Sequence, residues 1–594
     1  MIAKTSHRFF AIAFMAVGLL IPSYGGGAST SILDSPHNLS VSSTGKVEYS
    51  SVRETRVCIF CHTPHHATVD RSVPEYPEVV APLWSRDLPN VSTYTPYDSP
   101  SIKNKPGLPT GSSRLCLSCH DGTIALGVLN GGFLLDAALH SMNHAYDSYL
   151  GSDLSTTHPI SMSYFDGLST PEYVDPVTLD KRIKLVENVV ECTACHNAHN
   201  NQYGNFLVLD NSLGSPLCTA CHNKAGWDGS AAHKSGGTFN ASVGGIVSAN
   251  GCGNCHKSHH NETAIDLLKL SKINANPINI GSNPVNSNCI LTCHNDSSNY
   301  RVNIAAAMTL TYRHDLAPPS THAVNETFPP PSKHVECVDC HNPHQSGYAN
   351  VPLGSTLLAP AISDALRGVR GVDSNLQVVN PAIYEYQVCY RCHAGTNGSD
   401  VTFLSSLSRP SRVITDYREQ NRFNSTISRH PVSELLPRRY AGGTAVYNSL
   451  KTSYQNDQKI FCSDCHEPHG SAYPMLFKNS YDVGDGTLNY DLCSRCHNVS
   501  TFVMTTASGF TAGGTTALHA SHYNKGVACS VCHDPHGIST AAGAATPGAN
   551  DHLINFDKNR AGLSALYNGS GGPGLRSCGT LAVGCHSVAG PHSY

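Results

Sequence analysis

Ten short stretches of this 594-residue chain place two cysteines three positions apart, with a histidine directly after the second. They are Cys58, Cys61 and His62; Cys116, Cys119 and His120; Cys192, Cys195 and His196; Cys218, Cys221 and His222; Cys252, Cys255 and His256; Cys337, Cys340 and His341; Cys389, Cys392 and His393; Cys462, Cys465 and His466; Cys493, Cys496 and His497; and Cys529, Cys532 and His533. An eleventh stretch, CILTCH, has one extra residue between Cys289 and Cys293, ahead of His294. In a twelfth, CGTLAVGCH, Cys578 stands seven positions before Cys585 and His586. None of the 24 cysteines is left over. CxxCH is a haem attachment signature: the thiols form thioethers with the two vinyl groups of the porphyrin, and the adjacent imidazole binds the iron. A zinc site and a redox dithiol are the competing uses of such pairs. Zinc ribbons, however, share one ion between two cysteine pairs and have no use for a histidine at each. With 34 histidines in the chain, twelve such placements are not chance, and twelve haem c groups are expected.

The two irregular stretches keep the second cysteine and the histidine adjacent, so the iron ligand keeps its relation to one thioether. Only the path back to the first cysteine lengthens, and the extra residues can bulge outward. For the last stretch a disulfide between Cys578 and Cys585 is the rival reading, in line with an oxidising compartment.

Each iron needs a second axial ligand. Without the first 28 residues only Met142, Met162, Met308, Met475 and Met504 remain, too few to serve twelve irons, whereas histidine is in surplus. Bis-histidine iron is therefore expected, and the lack of methionine ligation points to low potentials. Six sites continue as CHxxH, which supplies His65, His199, His259, His344, His469 and His536. A residue three positions on shares a face with the proximal ligand. It cannot reach the far side of the same iron and is better placed to bind that of a neighbour. These six sites alternate strictly with six plain ones, and each resulting pair has upstream histidines. The candidates there are His37, His158, His233, His334, His430 and His522. His140 and His144 compete with His158, His314 and His322 with His334, and His519 with His522. His66, His260, His552 and His592 are spare or serve the irregular sites.

The elements that must position these groups are short. Charged residues make up 14% and aromatic residues 7%, with 50 Gly and 35 Pro, a mix that favours loops and cannot build a large core unaided. The expected fold is mostly irregular with short α-helices and few β-strands, in which covalent haem and iron–histidine bonds replace the missing core. The intervals between sites vary, which excludes a solenoid of fixed period. Insertions at 63–115, 346–388 and 398–461 read as surface loops. DKRIKLVENVVE at 180–191 has strand-like alternation, and AIDLLKL at 264–270 reads as a short helix.

Lys4 and Arg8, the apolar run Phe9 to Ile21 and GGGAST read as an export signal cleaved near Ala28. The run is too short to span a bilayer, and no later one is long enough. The chain thus divides into a signal peptide at 1–28, a four-haem module at 29–224, a two-haem segment at 225–330, a five-haem module at 331–540 and a C-terminal one-haem segment at 541–594. The formal charge of -4 argues against a nucleic-acid partner.

HTPHH, SSRLCLSCHDGT, SDLSTTHPIS, VECTACHNAH and SPLCTACHNK resemble the multihaem cytochromes c with doubled CXXCH motifs, as do KHVECVDCHNPH, YEYQVCYRCH, SRHPVS and FCSDCHEPHG. Such proteins are typical of bacteria that respire metals outside the cell. The resemblance spans roughly 31–224 and 334–540. It implies a chain wrapped around closely stacked haems, with the CxxCH histidines as proximal ligands. It implies distal ligation by His65, His199, His344, His469 and His536, and by His158 and His430 in their His-Pro contexts. It also implies electron transfer in the envelope or at the cell surface. Partners would then be other c-type cytochromes or a porin–cytochrome conduit, extracellular metal oxides, or further copies of the chain. Three readings follow: an electron carrier, a reductase of nitrite, hydroxylamine or a sulfur oxyanion with one open iron, and a subunit of a haem filament. The CxxCK motif that marks one reductase family does not occur.

Overall fold

A computed structural model describes residues 30–43, 49–68, 83–99, 102, 104–164, 172–229, 231–235, 238–239, 245–261, 265–269, 284–295, 303–316, 335–347, 360–375, 377–393, 430, 432, 449–454, 460–481, 491–508, 511–512, 515–524, 527–533, 535–536, 567–568, 577–578 and 592–593. Regular structure among these residues comes in small pieces. The longest helices, Gly111–His120 and Glu385–His393, have 10 and 9 residues, and each ends on the histidine of a plain CxxCH site. The first stops where Gly122 takes φ 73°, and a Cβ there would lie 2.6 Å from the Met142 carbonyl oxygen. The described strands are two-residue pieces, paired antiparallel in ladders of two or three. A chain this rich in Gly and Pro does not propagate helix or sheet, and the architecture is mostly irregular with short helices and small strand pairs. No helix among the described residues is long and apolar enough to cross a membrane. The expected signal segment lies outside them.

Two local expectations change. Of 180–191, Val189–Val190 pairs with Met162–Ser163, because Glu187 and Asn188 turn left-handed (φ 52° and 65°) and break the alternation. The described part of 264–270 is not an α-helix: Ile265–Leu267 makes one tight turn in which Asp266 and Leu267 have φ 49° and 52°.

That turn belongs to a device that recurs at four of the CHxxH sites. After the site histidine the chain loops out and returns beside it. Thr63 N donates to Leu83 O at 2.9 Å, and Ser85 N donates back to Cys61 O at 2.9 Å. The same pair of bonds joins Asn197 to Phe206 and Val208 to Cys195, Lys257 to Leu267 and Lys269 to Cys255, and Glu467 to Leu476 and Lys478 to Cys465. The accepting residues Leu83, Phe206, Leu267 and Leu476 all have positive φ, from 52° to 59°. That conformation costs a residue with a Cβ roughly 1–2 kcal/mol, so the two flanking hydrogen bonds must hold it.

Apolar side chains gather in separate clusters, four of them lined by attachment cysteines. Phe60, Leu126, Leu139 and Met142 pack against Cys61 and Cys119. Ile290, Ala305, Met308 and Leu316 pack against Cys289 and Cys337. Ile362, Val369, Ala382 and Val388 pack against Cys340, and Tyr386 with Tyr390 against Cys462. In the first of these regions Arg86 is fully buried, and its guanidinium donates to Leu126 O and Ala125 O, each at 2.9 Å, and to Ser118 O at 3.4 Å. Replacing Arg86 with Met keeps the stem but strands these carbonyls. We expect Arg86→Met to destabilise the haem-loaded protein by about 3 kcal/mol, read as a lower midpoint in denaturant unfolding.

Candidate metal centres along the chain

At each described regular site from Cys192 onward except Cys389, and also at Cys58, the N–H of the site histidine donates to the carbonyl of the first cysteine. The distances run from 2.8 Å at His62 and His533 to 3.1 Å at His466. This single helical turn sets two thiols and an imidazole around one face. The extra residue of CILTCH does not bulge out of the turn. Ser287–Cys293 forms a wider π-type turn in which His294 N still donates to Cys289 O, at 2.9 Å, across five residues instead of four. One inserted residue is what a π-turn absorbs, and the histidine keeps its relation to both cysteines.

The orientation of five site imidazoles is set from behind. Nδ1 of His120 lies 2.7 Å from Ser148 O, that of His196 2.8 Å from Asn205 O, and that of His256 2.9 Å from Asp266 O. His341 and His466 repeat this with Ala365 O at 2.9 Å and Met475 O at 2.8 Å. A carbonyl oxygen only accepts, so Nδ1 carries the proton and the Nε2 lone pair is free for a metal. The left-handed residues Asn205, Asp266 and Met475 supply three of these carbonyls.

Each described site histidine has another imidazole standing opposite it. A metal–imidazole bond is about 2.0–2.1 Å and a ring centroid sits roughly 1 Å behind its nitrogen, so two rings on one iron have centroids ~6.2 Å apart. Numbering the sites in chain order, the odd ones pair as follows: His62 with His199 at 6.0 Å, His196 with His259 at 6.1 Å, His256 with His344 at 6.4 Å, His341 with His469 at 5.9 Å, and His466 with His536 at 6.1 Å. Each facing ring is the CHxxH histidine of the next odd site. The even sites pair with residues upstream of their own couple: His120 with His37 and His222 with His158 at 6.2 Å, His294 with His233 and His497 with His430 at 6.3 Å, and His393 with His314 at 6.4 Å. His533, the last odd one described, faces His519 at 6.2 Å.

Of the expected distal residues, nine stand in these pairs: His37, His158, His199, His233, His259, His344, His430, His469 and His536. His334 lies outside the described residues, and His314 occupies the place opposite His393. His519 rather than His522 faces His533; His522 Nδ1 turns back to Leu518 O at 2.7 Å. His65 faces no ring among the described residues. His140 and His144 are exposed. Cys585 and His586 also lie outside the described residues, while the backbone of Cys578 pairs with Tyr567 and His592.

Burial favours the ligating form of these rings. It lowers His37, His294, His344 and His497 to about 4 and His222 and His259 to about 3, so all are neutral near pH 7. Two thiols and one neutral imidazole on a turn, with a second imidazole facing it at bonding span, fit haem c. Burial also pushes the Cys61, Cys195, Cys255 and Cys340 thiols up to about 12, away from the thiolate a zinc site needs.

The sites touch in sequence order. The first cysteines of consecutive even and odd sites lie side by side: Cys116 with Cys192, Cys218 with Cys252, Cys289 with Cys337, Cys389 with Cys462 and Cys493 with Cys529. Within odd–even couples among the described residues the second cysteine of the odd site adjoins the even site, as Cys61 does Cys119, Cys195 does Cys221 and Cys465 does Cys496. The even-to-odd junctions are braced by side chains that the sequence reading passed over. Ser113, Ser215 and Asn286, each three residues before an even site's first cysteine, accept the N–H of Cys192, Cys252 and Cys337, each at 3.0 Å. Glu385 does the same for Ser463 N at 2.9 Å. A polar residue at that offset was the available signal.

The ring planes separate the two classes of site. Odd pairs lie between 8° and 36° of parallel, even pairs between 54° and 88°. Near-perpendicular ligand planes leave two iron d orbitals almost degenerate, which spreads the g values. Low-temperature EPR of the oxidised protein should therefore contain a rhombic low-spin class from odd sites and a strongly anisotropic one from even sites. In single variants, His314→Ala and His519→Ala should each open one iron and add one high-spin ferric signal at unchanged haem content, whereas His522→Ala should not.

Residues 186–226 and 454–501 match the doubled CXXCH motif family. Each region holds one odd–even couple, Cys192 with Cys218 and Cys462 with Cys493. Comparison with curated proteins gives no match. The doubled motif, on a chain whose attachment turns carry facing pairs of imidazoles, supports a multihaem c-type cytochrome.

Proposed function

We propose that this chain is a dodecahaem electron carrier that passes electrons along low-potential bis-histidine sites and performs no chemistry on a substrate. The observation that carries the reading is that all eleven described site histidines, His62 to His533, have a second imidazole facing them. Haem c supplies the one-electron ferric–ferrous couple. The protein's part is to hold both axial imidazoles neutral and fixed, so that oxidation state changes without a change of ligands. A reductase needs a vacant axial position, and the facing pairs leave no place for one at these eleven. The contact of sites in sequence order gives electrons a linear path through the chain.

The export signal and the attachment chemistry point to work outside the cytoplasm, and the polar insertions favour the outer surface over the periplasm. Donors and acceptors are then other c-type cytochromes, a porin–cytochrome conduit or extracellular metal oxides. The test is the intact mass of the mature protein from a host that attaches haem c, taken with EPR and a nitrite and hydroxylamine turnover assay. Twelve haems, all low-spin and with no turnover, are expected. Eleven, with a Cys578–Cys585 disulfide in the peptide map, would make the C-terminus a cap. A native high-spin haem with turnover would replace the carrier with a reductase.

A further inference from the structure

The loop that follows four of the CHxxH sites returns to its attachment turn at one equivalent position, and the residue there differs from site to site. Its N–H donates to the carbonyl of the odd site's second cysteine, from Ser85, Val208, Lys269 and Lys478 in turn. Each of these side chains therefore starts beside the cysteine through which the odd site adjoins its even partner. At the third site, Cys192 to His196, the residue is valine; at the fifth, Cys252 to His256, it is lysine.

Lys269 is half-buried, and its Nζ donates to Gly253 O inside the CGNCH turn. An ammonium group is thus tied to the attachment turn itself. Burial raises the Cys255 thiol, the Cys289 and Cys293 thiols add to that, and the Lys269 charge opposes it. The same charge acts on the His256 imidazole alongside Lys224, and Lys234 acts on Cys252. The anion on this side is Asp266, which is exposed and accepts from Ser99 Oγ at 3.1 Å.

The third and fourth sites have no such charge. Burial raises the Cys195 thiol, Cys221 and Cys192 add to it, and no cation among the described residues opposes them. Lys224, which also reaches His222, is paired with Glu172 at 2.9 Å. The Glu191 carboxyl, buried beside Cys192, accepts from Thr110 Oγ1 at 2.7 Å and from Ser113 Oγ, and brings no positive charge. Lys478 holds the return position at the ninth site, but Glu467 and Glu385 lie close to it.

Reduction removes one unit of positive charge from an iron. A fixed cation nearby favours the reduced form, most strongly where water is excluded. We propose that Lys269 sets the fifth and sixth sites at a higher potential than the third and fourth, so that the contact of Cys218 with Cys252 is a downhill step for an electron. One electron leaves the iron of the fourth site, which is oxidised, and reduces that of the fifth; no bond forms or breaks and no proton moves. Lys269 is no ligand and acts through space. The inference rests on the reading that these sites hold haem, which intact mass tests separately.

The experiment compares full-length haem-loaded wild type with Lys269→Met, Lys269→Arg and Val208→Lys. The readouts are haem content by intact mass and a spectroelectrochemical titration at high ionic strength, where exposed charges are screened. Lys269→Met should move two haems' share of the titration to lower potential at unchanged haem content, and Lys269→Arg should keep the wild-type curve. Val208→Lys should take two haems' share from the low-potential end and raise it. Haem-loaded Lys269→Met with an unmoved titration would overturn this proposal alone, whereas protein without covalent haem would overturn the reading of the sites as well. A shift in Lys269→Arg equal to that in Lys269→Met would also overturn it, because packing and not charge would then set the potential.

Discussion

Pairs of imidazoles standing opposite one another, several of them fixed from behind by a backbone carbonyl, are the constraint on which the rest of this structure depends. A ring that is free to rotate or to take a proton is a poor ligand. The chain deals with both problems locally. A backbone carbonyl behind the ring fixes the tautomer, as Asn205 does for His196 and Pro468 does for His314 at 2.8 Å. Burial removes the second proton from rings such as His37, His222, His259 and His294. Several of the carbonyls come from left-handed residues with side chains, a conformation the chain adopts against its intrinsic preference.

Because a ring and its partner come from different sites, each facing pair is also a brace. An odd site is tied to the next odd site through the CHxxH histidine, and an even site to a segment upstream of its couple. Bracing of this kind replaces a continuous apolar core, and the small clusters around Cys61, Cys289, Cys340 and Cys462 fill the space between braces. Ser113, Ser215 and Asn286 join the braces at the level of the backbone by accepting the first N–H of the following site. With haem in these sites, metal ligation and folding would be one process, as in small metal-dependent domains.

On the proposed reading the same geometry serves conduction: two imidazoles at each of the eleven described sites would fill both axial positions, and consecutive sites lie next to one another. Junctions alternate between first-cysteine and second-cysteine neighbours, and ring planes alternate between near-parallel and strongly tilted, so odd and even sites are two environments repeated in turn.

The attachment sites, the surplus of histidine, the odd–even alternation and the prevalence of irregular backbone were all legible in the sequence. Thioether and iron bonds demand fixed local spacings, and a composition rich in Gly and Pro forbids long elements. The expectation that a CHxxH histidine turns to a neighbouring site follows from spacing, since three residues on a turn cannot encircle a porphyrin, and His199, His259, His344, His469 and His536 do stand opposite a neighbouring site's ring. The extra residue of CILTCH was read as an outward bulge, whereas the turn widens to keep its hydrogen bond. Which ring faces which was decided by tertiary structure. His519 and His522 are chemically identical and three residues apart, as near-equivalent as His314 was to its neighbours in the list of candidates. Only the fold sets the carbonyl of Pro468 behind His314 and turns His522 back onto Leu518. Spacing along the chain determines what can bind; the position of a carbonyl from a distant segment determines where a ring points.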